Sequence, residues 1–385
     1  MRRIRLGIVA NELFDPEIGR MGGFGWAVKH SATCFQTRPW VGVDPILFMG
    51  ERLKRGVVRP KTVHGCEVVW VGDSAMAWAR AVWAAKVDLF LSIDYRANYR
   101  AFYALCPMTP ILLWVRDPRE ASDNALIRQL RIPGEAAMPQ GIQEHPTHTL
   151  AALQMLCRLT GRGFRLAVTT PSLASKIADT YGVTGNGAGV LPNPLEKCAN
   201  PLVKAGRPVV VYLARLDPCK RPWLMEELAR RIPEAEFVVM GRNHFSGAGS
   251  WQPDMEIPNI RYLGHIEGES KQAELERGWV LLNTSIHEGL AVSYLEGLGH
   301  EMPLVSCVDT EGLATRFGRA VDRHPGDGME ALPAFEAALR ELFANAELRW
   351  RLGQEGRQWV EATHSPEAFV NSFFDLAAGL GVKRD

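Results

Sequence analysis

Two glutamates stand eight positions apart in HEGLAVSYLEGLGHEMPLVS, residues 287–306. The preceding run WVLLNTS predicts a strand, residues 286–290 a loop and residues 291–299 a helix, so Glu288 lies at the strand end and Glu296 two turns further on. Eight helical residues separate two side chains by roughly 80° around the axis and ~12 Å along it. The paired carboxylates of a retaining glycoside hydrolase stand ~5 Å apart. The spacing therefore favours one elongated ligand held at two points.

The two carboxylates are suited to accept hydrogen bonds from hydroxyl groups at both ends of such a ligand. The N-terminus of the helix between them presents backbone N–H groups, which bind phosphate. A sugar nucleotide carries hydroxyls, then a diphosphate, then a ribose, and so it fits the pattern.

Two cations follow the first strand of the second half, in LARLDPCKRPW. Arg215 and Lys220 flank a short turn that leads into a predicted helix. Arg binds oxyanions bidentately and Lys acts as a point charge, so the pair could clamp a diphosphate. Two solvated surface charges are the alternative, which the spacing alone slightly favours.

A glycine-rich stretch, GRMGGFGWAVKHSA, precedes the first predicted helix. Gly22 and Gly23 would let backbone N–H groups approach an anion at the helix N-terminus. The stretch is not a G-x-G-x-x-G motif and lies about a dozen residues beyond the first strand. A plain glycine-rich turn explains it equally well.

Continuous apolar runs alternate with helical patterns twice along the chain, which is typical of buried parallel strands in two doubly wound α/β domains. The Pro-rich stretch 191–208 predicts the boundary. We expect domains at residues 1–195 and 196–364, and a final helix at residues 365–385, capped by Ser365, that returns to the first domain. The segment 121–148, rich in Pro, Gly, Gln and His, is interpreted as a mobile loop.

The composition is that of an ordinary soluble enzyme: 385 residues, 46% hydrophobic and 23% charged. No apolar run reaches the ~18 residues that cross a bilayer. The apolar start reads as a strand rather than a signal peptide. Seven scattered cysteines without a C-x-x-C pair argue against a disulfide framework and a zinc site. These features predict a cytoplasmic protein.

The charge is divided unevenly along the chain. Residues 1–200 carry 24 Lys and Arg against 16 Asp and Glu, whereas residues 201–385 carry 20 against 27. The imbalance suggests that the first half meets an anionic partner. Drift of surface charge between domains explains it about as well.

The stretch SIHEGLAVSYLEGLGHEMPLV, residues 285–305, resembles the signature of retaining GT-B-fold glycosyltransferases of the family-four type (glycosyl transferases group 1). That signature is Ser-x-x-Glu-Gly-Leu/Phe, with seven residues between the two glutamates, followed by a Pro-Val strand. Further stretches match in the family's order: TTPSLASKIADTYG, VLPNP, YLARLDPCKRP, FVVMG and IRYLGHI. The resemblance covers residues 165–310, and before them the strand pattern and MGGFG also fit. It implies two Rossmann-like doubly wound domains facing a cleft.

The resemblance assigns roles to the residues of the opening stretch. Glu288 would accept hydrogen bonds from the hydroxyls of the donor sugar. The backbone of Gly289 and Leu290 would contact sugar or phosphate, and Glu296 would hold the ribose.

The resemblance also assigns residues to the other parts of a nucleotide sugar. Arg215 and Lys220 would neutralise the diphosphate, with Gly22 and Gly23 approaching it from the other domain. The base pocket would be lined, mostly through main chain, by Gly264, His265 and Ile266.

Two positions depart from the family pattern. Glu301 stands where the family usually has Gly, two residues before the Pro of the PLV run. Many members carry a His after a first-domain strand, where WVRDPR has Arg116 and Asp117. These two residues are the acceptor-side candidates. His30 and His287 lie near the motifs in sequence, and each is more simply a structural histidine.

The resemblance implies a retaining, hexosyltransferase-type enzyme that needs neither a bound cofactor nor a metal and uses a nucleotide-diphosphate sugar. Nucleic acid is not expected as a partner. The basic first half favours an anionic acceptor, such as a phosphorylated sugar, a lipid-linked phosphate or a membrane surface, and a neutral acceptor beside a solvated basic face is the alternative. A sugar-nucleotide epimerase and a non-catalytic sugar-nucleotide-binding partner remain as rival functions.

Overall fold

The chain forms two compact units in a computed structural model that describes residues 3–15, 22–50, 58–135, 150–198, 202–245 and 250–383. The first unit comprises Met1–Pro118, Pro146–Glu196 and His364–Asp385, and the second comprises Arg119–His145 and Lys197–Thr363.

Strands and helices alternate within the described residues. The strands are β1 Ile4–Ala10, β2 Val43–Met49, β3 Thr62–Val63, β4 Cys66–Val69, β5 Leu89–Ile93, β6 Ile111–Val115, β7 Phe164–Val168, β8 Gly189–Val190, β9 Val209–Leu213, β10 Glu236–Met240, β11 Ile260–Gly264, β12 Val280–Asn283, β13 Leu304–Ser306 and β14 Gly318–Ala320. The helices are α1 Gly23–Gln36, α2 Ala75–Ala84, α3 Arg100–Leu105, α4 Ala121–Arg128, α5 Ala151–Thr160, α6 Ile177–Tyr181, α7 Pro222–Arg231, α8 Gly268–Arg277, α9 Val292–Gly299, α10 Leu313–Phe317, α11 Leu332–Ala344, α12 Ala346–Thr363 and α13 Pro366–Ala378.

The first unit is built on an eight-stranded sheet in the order β3-β4-β2-β1-β5-β6-β7-β8. Its pairings are parallel except for the short β3–β4 hairpin. The central strands LFLSI and ILLWV are buried at every position. Burial on both faces explains their continuous apolar runs.

The second unit is built on a six-stranded parallel sheet in the order β11-β10-β9-β12-β13-β14. The chain runs outward from β9 to β11 and then returns to place β12 on the other side of β9. The strand order therefore reverses between β9 and β12. Two parallel-dominated sheets with helices confirm the predicted pair of Rossmann-like α/β domains.

Residues 119–135 differ from their sequence interpretation. The part 121–128 of the expected mobile loop is the helix α4, in which Glu120 and Asp123 form a reciprocal capping box. Ile127, Leu130 and Ile132 are buried in the core of the second unit, rather than in that of the first, where the predicted range 1–195 put them. Residues 136–149 lie outside the described part of the chain.

The C-terminal helix α13 packs in the first unit. Ser365 accepts a hydrogen bond from the backbone N–H of Ala368, and Pro366 occupies the first helical position. The rings of Phe369 and Phe373 contact Phe35, with ring centroids 5.4 and 5.0 Å from it. This apolar contact ties the end of the chain to the first sheet's core.

None of the helices in the described ranges is sufficiently long and apolar to traverse a membrane. All seven cysteines lie in those ranges as free thiols.

Candidate functional site

Two loops meet where the strand order of the second sheet reverses. Residues 214–221 follow β9 and residues 284–291 follow β12, and these strands are parallel neighbours. In open α/β sheets, ligands bind outside the carboxyl ends of the strands at such a switch point. The topology thus brings the sequence candidates of both loops together.

The loop after β9 is held in a fixed shape by hydrogen bonds between side chains and its backbone. Asp217 accepts from the backbone N–H of Lys220 and caps a short 3-10 turn. The Lys220 carbonyl accepts from the hydroxyls of Tyr212 and Thr284, each at 2.7 Å. The loop is therefore bonded both to its own strand and to the loop after β12.

Arg221 joins the two loops from inside the protein. It is completely buried, and its Nε donates to the Thr284 carbonyl at 2.8 Å. Its Nη1 donates to the His324 carbonyl at 2.9 Å, and its Nη2 to Cys307 Sγ at 3.0 Å. Sequence reasoning missed this residue, because nothing in CKRP distinguishes a buried guanidinium from a solvated one.

Lys220 and Glu288 form an ion pair across the two loops. Lys220 Nζ lies 2.7 Å from Glu288 Oε1, and the two side chains are 16% and 12% exposed. Ser285 Oγ and Asn283 Nδ2 donate to the same Oε1 at 2.6 and 3.1 Å. The other oxygen, Oε2, receives no donor from the described residues. Three donors thus hold Oε1 in place and leave Oε2 available to a ligand.

Both members of this pair are charged at neutral pH. Burial by itself raises the pKa of Glu288, but Lys220 and the Ser285 and Asn283 donors outweigh it and hold the pKa below 4.5. Burial lowers the pKa of Lys220, while the carboxylates of Glu288 and Asp217 raise it above 10.5. The geometry therefore maintains a fixed negative charge beside a fixed positive charge.

Arg215 does not join this pair. Its Nη2 lies 3.1 Å from Asp217 Oδ2, and its side chain is 48% exposed. The clamp expected from Arg215 and Lys220 is therefore divided, with Arg215 on Asp217 and Lys220 on Glu288.

Glu296 is also paired with a lysine. Lys271 Nζ, on α8, lies 2.7 and 2.8 Å from the two carboxylate oxygens of Glu296 on α9. No local pattern distinguishes Lys271 from the other charged residues of ESKQAELER. Glu288 and Glu296 thus each carry a lysine partner in this structure.

Gly289 and Leu290 lie between the two pairs, ahead of α9. The Gly289 carbonyl accepts from Thr310 Oγ1 at 2.6 Å, which ties this loop to the segment after β13. The backbone N–H groups of Gly289 and Leu290 donate to none of the described residues. They stand at a helix N-terminus, where the dipole favours negative charge.

Gly264 ends the edge strand β11, and His265 and Ile266 follow it. Gly264 has φ 64°, a left-handed conformation that glycine adopts without strain. Its carbonyl accepts from the backbone N–H of Gly241 at 2.7 Å, and His265 Nε2 lies 3.1 Å from Glu267 Oε1.

The helix α4 contacts the loop after β12 through the side chain of Asp123. Asp123 Oδ1 lies 3.0 Å from Arg323 Nη1 and 3.5 Å from His287 Nδ1. Arg323 also donates to the Ile286 carbonyl at 3.1 Å. His287 and Asp123 are buried. His287 is thus a buried neighbour of Asp123, and Asp123 is a third residue that sequence reasoning missed, after Arg221 and Lys271.

Gly22 and Gly23 stand at the N-terminus of α1 in the first unit. The carboxylate of Glu12 already lies there, with Oε2 3.2 Å from the backbone N of Gly25. A Cβ added at Gly22 would lie 2.6 Å from that oxygen, whereas one at Gly23 would meet nothing within 4 Å. The glycine at position 22 is thus explained by the approach of Glu12, while position 23 is open. His30 stacks on Trp26 in the same helix, with ring centroids 3.8 Å apart.

Arg116 and Asp117 lie at the carboxyl end of β6 in the first unit. Arg116 is buried, its guanidinium carbon lies 4.4 Å from the Trp114 ring centroid, and its Nη1 donates to Asn193 Oδ1. Burial lowers the pKa of Arg116 to about 9, against the raising effects of Asp94 and Asp117. It remains a cation at neutral pH, and it forms no ion pair with any residue that the structure describes. Asp117 is half-buried.

Glu301 has φ 57° and stands just after α9. Its backbone N–H donates to the Leu298 carbonyl and that of Met302 to the Gly297 carbonyl, each at 2.9 Å. These two bonds form a Schellman motif, whose left-handed position usually holds glycine. The position thus keeps the left-handed backbone that glycine adopts most readily, and Glu301 is held there by an ion pair with Arg357 at 2.9 Å.

Residues 220–375 match a family model described as glycosyl transferase-like. The match begins at Lys220 and includes Glu288 and Glu296. Residues 220–375 are therefore similar to glycosyl transferases. The family resemblance recognised in the sequence is therefore confirmed.

A curated relative and two solved structures are similar to this chain. Glycosyltransferase 1 domain-containing protein 1 from Xenopus tropicalis is 24% identical over 174 residues, 45% of this chain and 42% of that protein. The match thus spans less than half of the relative's length. Sucrose-phosphate synthase from Thermosynechococcus elongatus has a TM-score of 0.69 and 14% identity, over 98% of this chain and 99% of that one. Anabaena HepE, solved with UDP-glucose, has a TM-score of 0.65 and 11% identity, over 98% and 100%. At these identities the structural likeness establishes the fold.

Within the described ranges, no three His, Cys, Asp or Glu side chains are grouped so that they could hold a metal ion.

Proposed function

We propose that the chain is a retaining glycosyltransferase that moves a sugar from a nucleotide-diphosphate sugar to an acceptor. The observation that carries the proposal is the buried Lys220–Glu288 pair at the switch point of the second sheet. A carboxylate suits sugar hydroxyls, and a cation suits a diphosphate. The sugar and the diphosphate are adjacent in a nucleotide sugar, so a site that binds both needs a carboxylate beside a cation.

Glu288 would bind the donor sugar through its open oxygen. Three donors hold Oε1 in place, so Oε2 needs no reorganisation to accept hydroxyl hydrogen bonds. The lowered pKa of Glu288 keeps it an acceptor at neutral pH.

Lys220, the N-terminus of α9 and Arg215 would neutralise the diphosphate as the sugar leaves. Lys220 is charged and fixed, and the N–H groups of Gly289 and Leu290 need no rearrangement to receive an oxyanion. Arg215 would exchange Asp217 for phosphate oxygens, which its exposure permits. Charge that develops on the leaving group would thus be stabilised by groups already in position.

The nucleoside would extend toward α8 and β11. Ribose hydroxyls would donate to Glu296, whose carboxylate now accepts from Lys271. Gly264, His265 and Ile266 would form the base pocket, with the left-handed turn at Gly264 exposing main-chain groups. The complex of HepE with UDP-glucose supports a nucleotide sugar as the class of donor.

The transfer would exchange one bond at the anomeric carbon for another on the same face. The bond from that carbon to the phosphate oxygen breaks, and the acceptor oxygen forms the new bond. The acceptor proton passes to the departing phosphate oxygen, so no side-chain base is required. Lys220 and Arg215 would supply the positive charge that a divalent metal otherwise gives. Arg116 and Asp117 are the acceptor-side candidates of the first unit.

The test is release of nucleoside diphosphate by the purified full chain from a panel of UDP-, GDP-, ADP- and dTDP-sugars. Glu288→Gln should lower turnover on the order of a hundredfold, the scale of one lost electrostatic contact in a transition state. Glu355→Gln, an exposed helical glutamate paired with Arg351 at 3.2 Å, is the matched control and should have no effect. Near-normal turnover in Glu288→Gln would refute the assignment.

The products distinguish the alternatives. Isomerised sugar nucleotide without free diphosphate would indicate an epimerase. A thermal shift with nucleotide sugars, without turnover, would indicate a non-catalytic binding protein. NMR of the transferred linkage against that of the donor establishes retention or inversion.

Metal independence has its own test. Activity should persist in EDTA, and Lys220→Ala should lose activity that added magnesium does not restore, because Lys220 supplies the charge that a metal otherwise gives. Loss of wild-type activity in EDTA with recovery on adding metal would contradict this part of the proposal.

A further inference from the structure

Three helices of the first unit cover one face of its sheet. The helices α2, α3 and α5 lead into β5, β6 and β7 in turn, and each step moves in the same direction across the sheet. Right-handed crossovers place such helices on the same face. The rings of Trp78 on α2 and Phe102 on α3 confirm the contact, with centroids 5.2 Å apart.

The C-terminal ends of these helices are bonded to one another. Thr109 Oγ1 donates to the Val87 carbonyl at 3.2 Å, and Arg162 Nε donates to the Thr109 carbonyl at 2.5 Å. Arg162 Nη1 also donates to the Tyr103 carbonyl at 3.0 Å. The segments that follow α2, α3 and α5 therefore form one continuous surface at the amino-terminal edge of the strands.

Large apolar side chains are exposed on α2 and α5 and just after α3. Trp83 and Met108 are each 66% exposed, Leu156 is 53% and Leu159 is 75% exposed. The indole N–H of Trp83 donates to the Leu105 carbonyl at 2.7 Å, which fixes the ring while leaving it exposed. These four side chains, with Lys86 and Arg158, are called the amino-edge patch.

The patch is basic and contains no acidic residue. Segments 74–86, 95–110 and 150–165 contain no Asp or Glu. Arg80, Lys86 and Arg158 are exposed and form no ion pair with the described residues. Asp88, just before β5, is half-buried and accepts from the backbone N–H of Arg5 at 2.9 Å. Asp73, 95% exposed and 3.4 Å from Arg59, and the exposed Asp179 border the layer.

We infer that the amino-edge patch binds the surface of an anionic lipid bilayer. Exposed Leu, Met and Trp side chains enter the interfacial region of a membrane, and neighbouring Lys and Arg bind anionic head groups. Trp83 is well suited to this role, because tryptophan is enriched at membrane interfaces. The carboxyl edge of the sheet, which carries Arg116, is the opposite edge and would stay clear of the lipid.

A second copy of the chain is less suited to the same patch. A two-fold interface would set the patch against itself and oppose its cations to each other. Like charges across an interface are unfavourable. An anionic surface instead complements every charge of the patch.

The test is sedimentation of the purified full chain with phosphatidylcholine vesicles, with and without phosphatidylglycerol. Binding is expected only to the anionic vesicles and should weaken in high salt. Lys86→Gln with Arg158→Gln should weaken it by more than tenfold, since each cation contributes about fivefold. Leu156→Ser with Leu159→Ser should also weaken it.

Matched controls lie in the second unit. Val203→Ser removes an aliphatic side chain that is 72% exposed, and Arg351→Gln removes an exposed cation. Both variants should bind anionic vesicles as the parent does, and circular dichroism should show that every variant is folded. Binding by both patch variants at parental affinity, or no binding by the parent, would overturn the inference.

One further outcome would identify a different occupant. Self-association of the parent without vesicles, abolished by the Leu156→Ser and Leu159→Ser pair, would assign the patch to a second copy and overturn the lipid proposal. Vesicle binding needs no donor or acceptor, so its failure leaves the proposed transferase activity untouched.

Discussion

The ion pair between Lys220 and Glu288 should contribute strongly coupled stability to the second unit. The perturbation is a double-mutant cycle of Lys220→Met, Glu288→Gln and both together. Each single variant leaves a partner buried without its counter-charge, and the double variant leaves neither. The double variant should therefore be more stable than the sum of the single effects.

The geometry gives the scale of the coupling. At the Nζ–Oε1 distance of 2.7 Å, Coulomb attraction at an effective dielectric constant of about 20 is roughly 6 kcal/mol. Desolvation of both groups offsets much of this attraction. We expect a coupling energy of about 2 kcal/mol, within the measured range for residues in contact. An exposed pair would give only about 0.5 kcal/mol.

The pH dependence provides a second signature. The pKa of Glu288 is lowered on folding, so its contribution is present above the unfolded value near 4.5 and is lost as the pH falls through the folded one. The pKa of Lys220 is raised on folding, so its contribution is present below 10.5 and is lost as the pH rises through the folded value. Glu288→Gln should therefore remove part of the parent's loss of stability below about pH 4.5.

The assay is urea denaturation of the full chain, fitted with one transition for each unit because the chain has two. The unfolding free energies of the second unit at neutral pH give the coupling energy of the cycle. The decrease of this free energy at acid pH is then compared between the parent and Glu288→Gln. A coupling energy below about 0.5 kcal/mol would show that the pair is energetically a surface pair. The fixed charges assigned to the donor site would then lose their support.

Three other perturbations test separate features. Glu301→Gly should be more stable than Glu301→Ala by about 1 kcal/mol in thermal unfolding, because both lose the ion pair but only Gly relieves the left-handed φ; equal stability would refute the strain. Arg116→Met should leave the melting temperature unchanged or raise it, because a buried unpaired charge is removed. The same variant should lower kcat/KM for the acceptor at least tenfold. An unchanged kcat/KM would show that Arg116 is not part of the acceptor site. The sequence ERLKRGVVRPK, residues 51–61, places Arg52, Lys54 and Arg55 in a basic run after a predicted strand, and these three residues lie outside the described part of the chain. Their triple replacement by Ser should weaken the binding of an anionic acceptor, as high salt does. An acceptor affinity that is unchanged by both would refute an anionic acceptor.

Strand runs, the fold class and the loops that carry Lys220 and Glu288 could all be predicted from the sequence. These features depend on local patterns, such as continuous apolar runs and residues placed directly after a strand. The spacing of Arg215 and Lys220 left open a diphosphate clamp and two solvated surface charges. In the structure Arg215 pairs with Asp217, and Lys220 pairs with Glu288.

The remaining features depend on contacts between distant parts of the chain. The order β10-β9-β12-β13, which creates the switch point, leaves no local signal. Neither does the packing of Asp123 against His287 and Arg323, 164 and 200 positions further along. Residues rich in Pro, Gly, Gln and His suggested a loop for the whole of 121–148, although its first part is a capped helix. Composition averaged over a segment hides a helix that its own capping box and apolar face stabilise.

The charge arrangement of the donor site suggests how a ligand would enter it. Each glutamate assigned to the donor already carries a lysine, so the two pairs Lys220–Glu288 and Lys271–Glu296 are neutral as they stand. A diphosphate would meet little net positive field there beyond Arg215, which Asp217 balances in turn. Donor affinity would then come from short-range hydrogen bonds and exchanged partners, which salt screens weakly. The first unit instead carries an excess of cations, including the unpaired Arg116. Its long-range attraction to an anionic acceptor or surface would be screened strongly by salt. The same chain would therefore bind its two substrates under different electrostatic regimes, a contrast that measuring both affinities over one range of ionic strength would reveal directly.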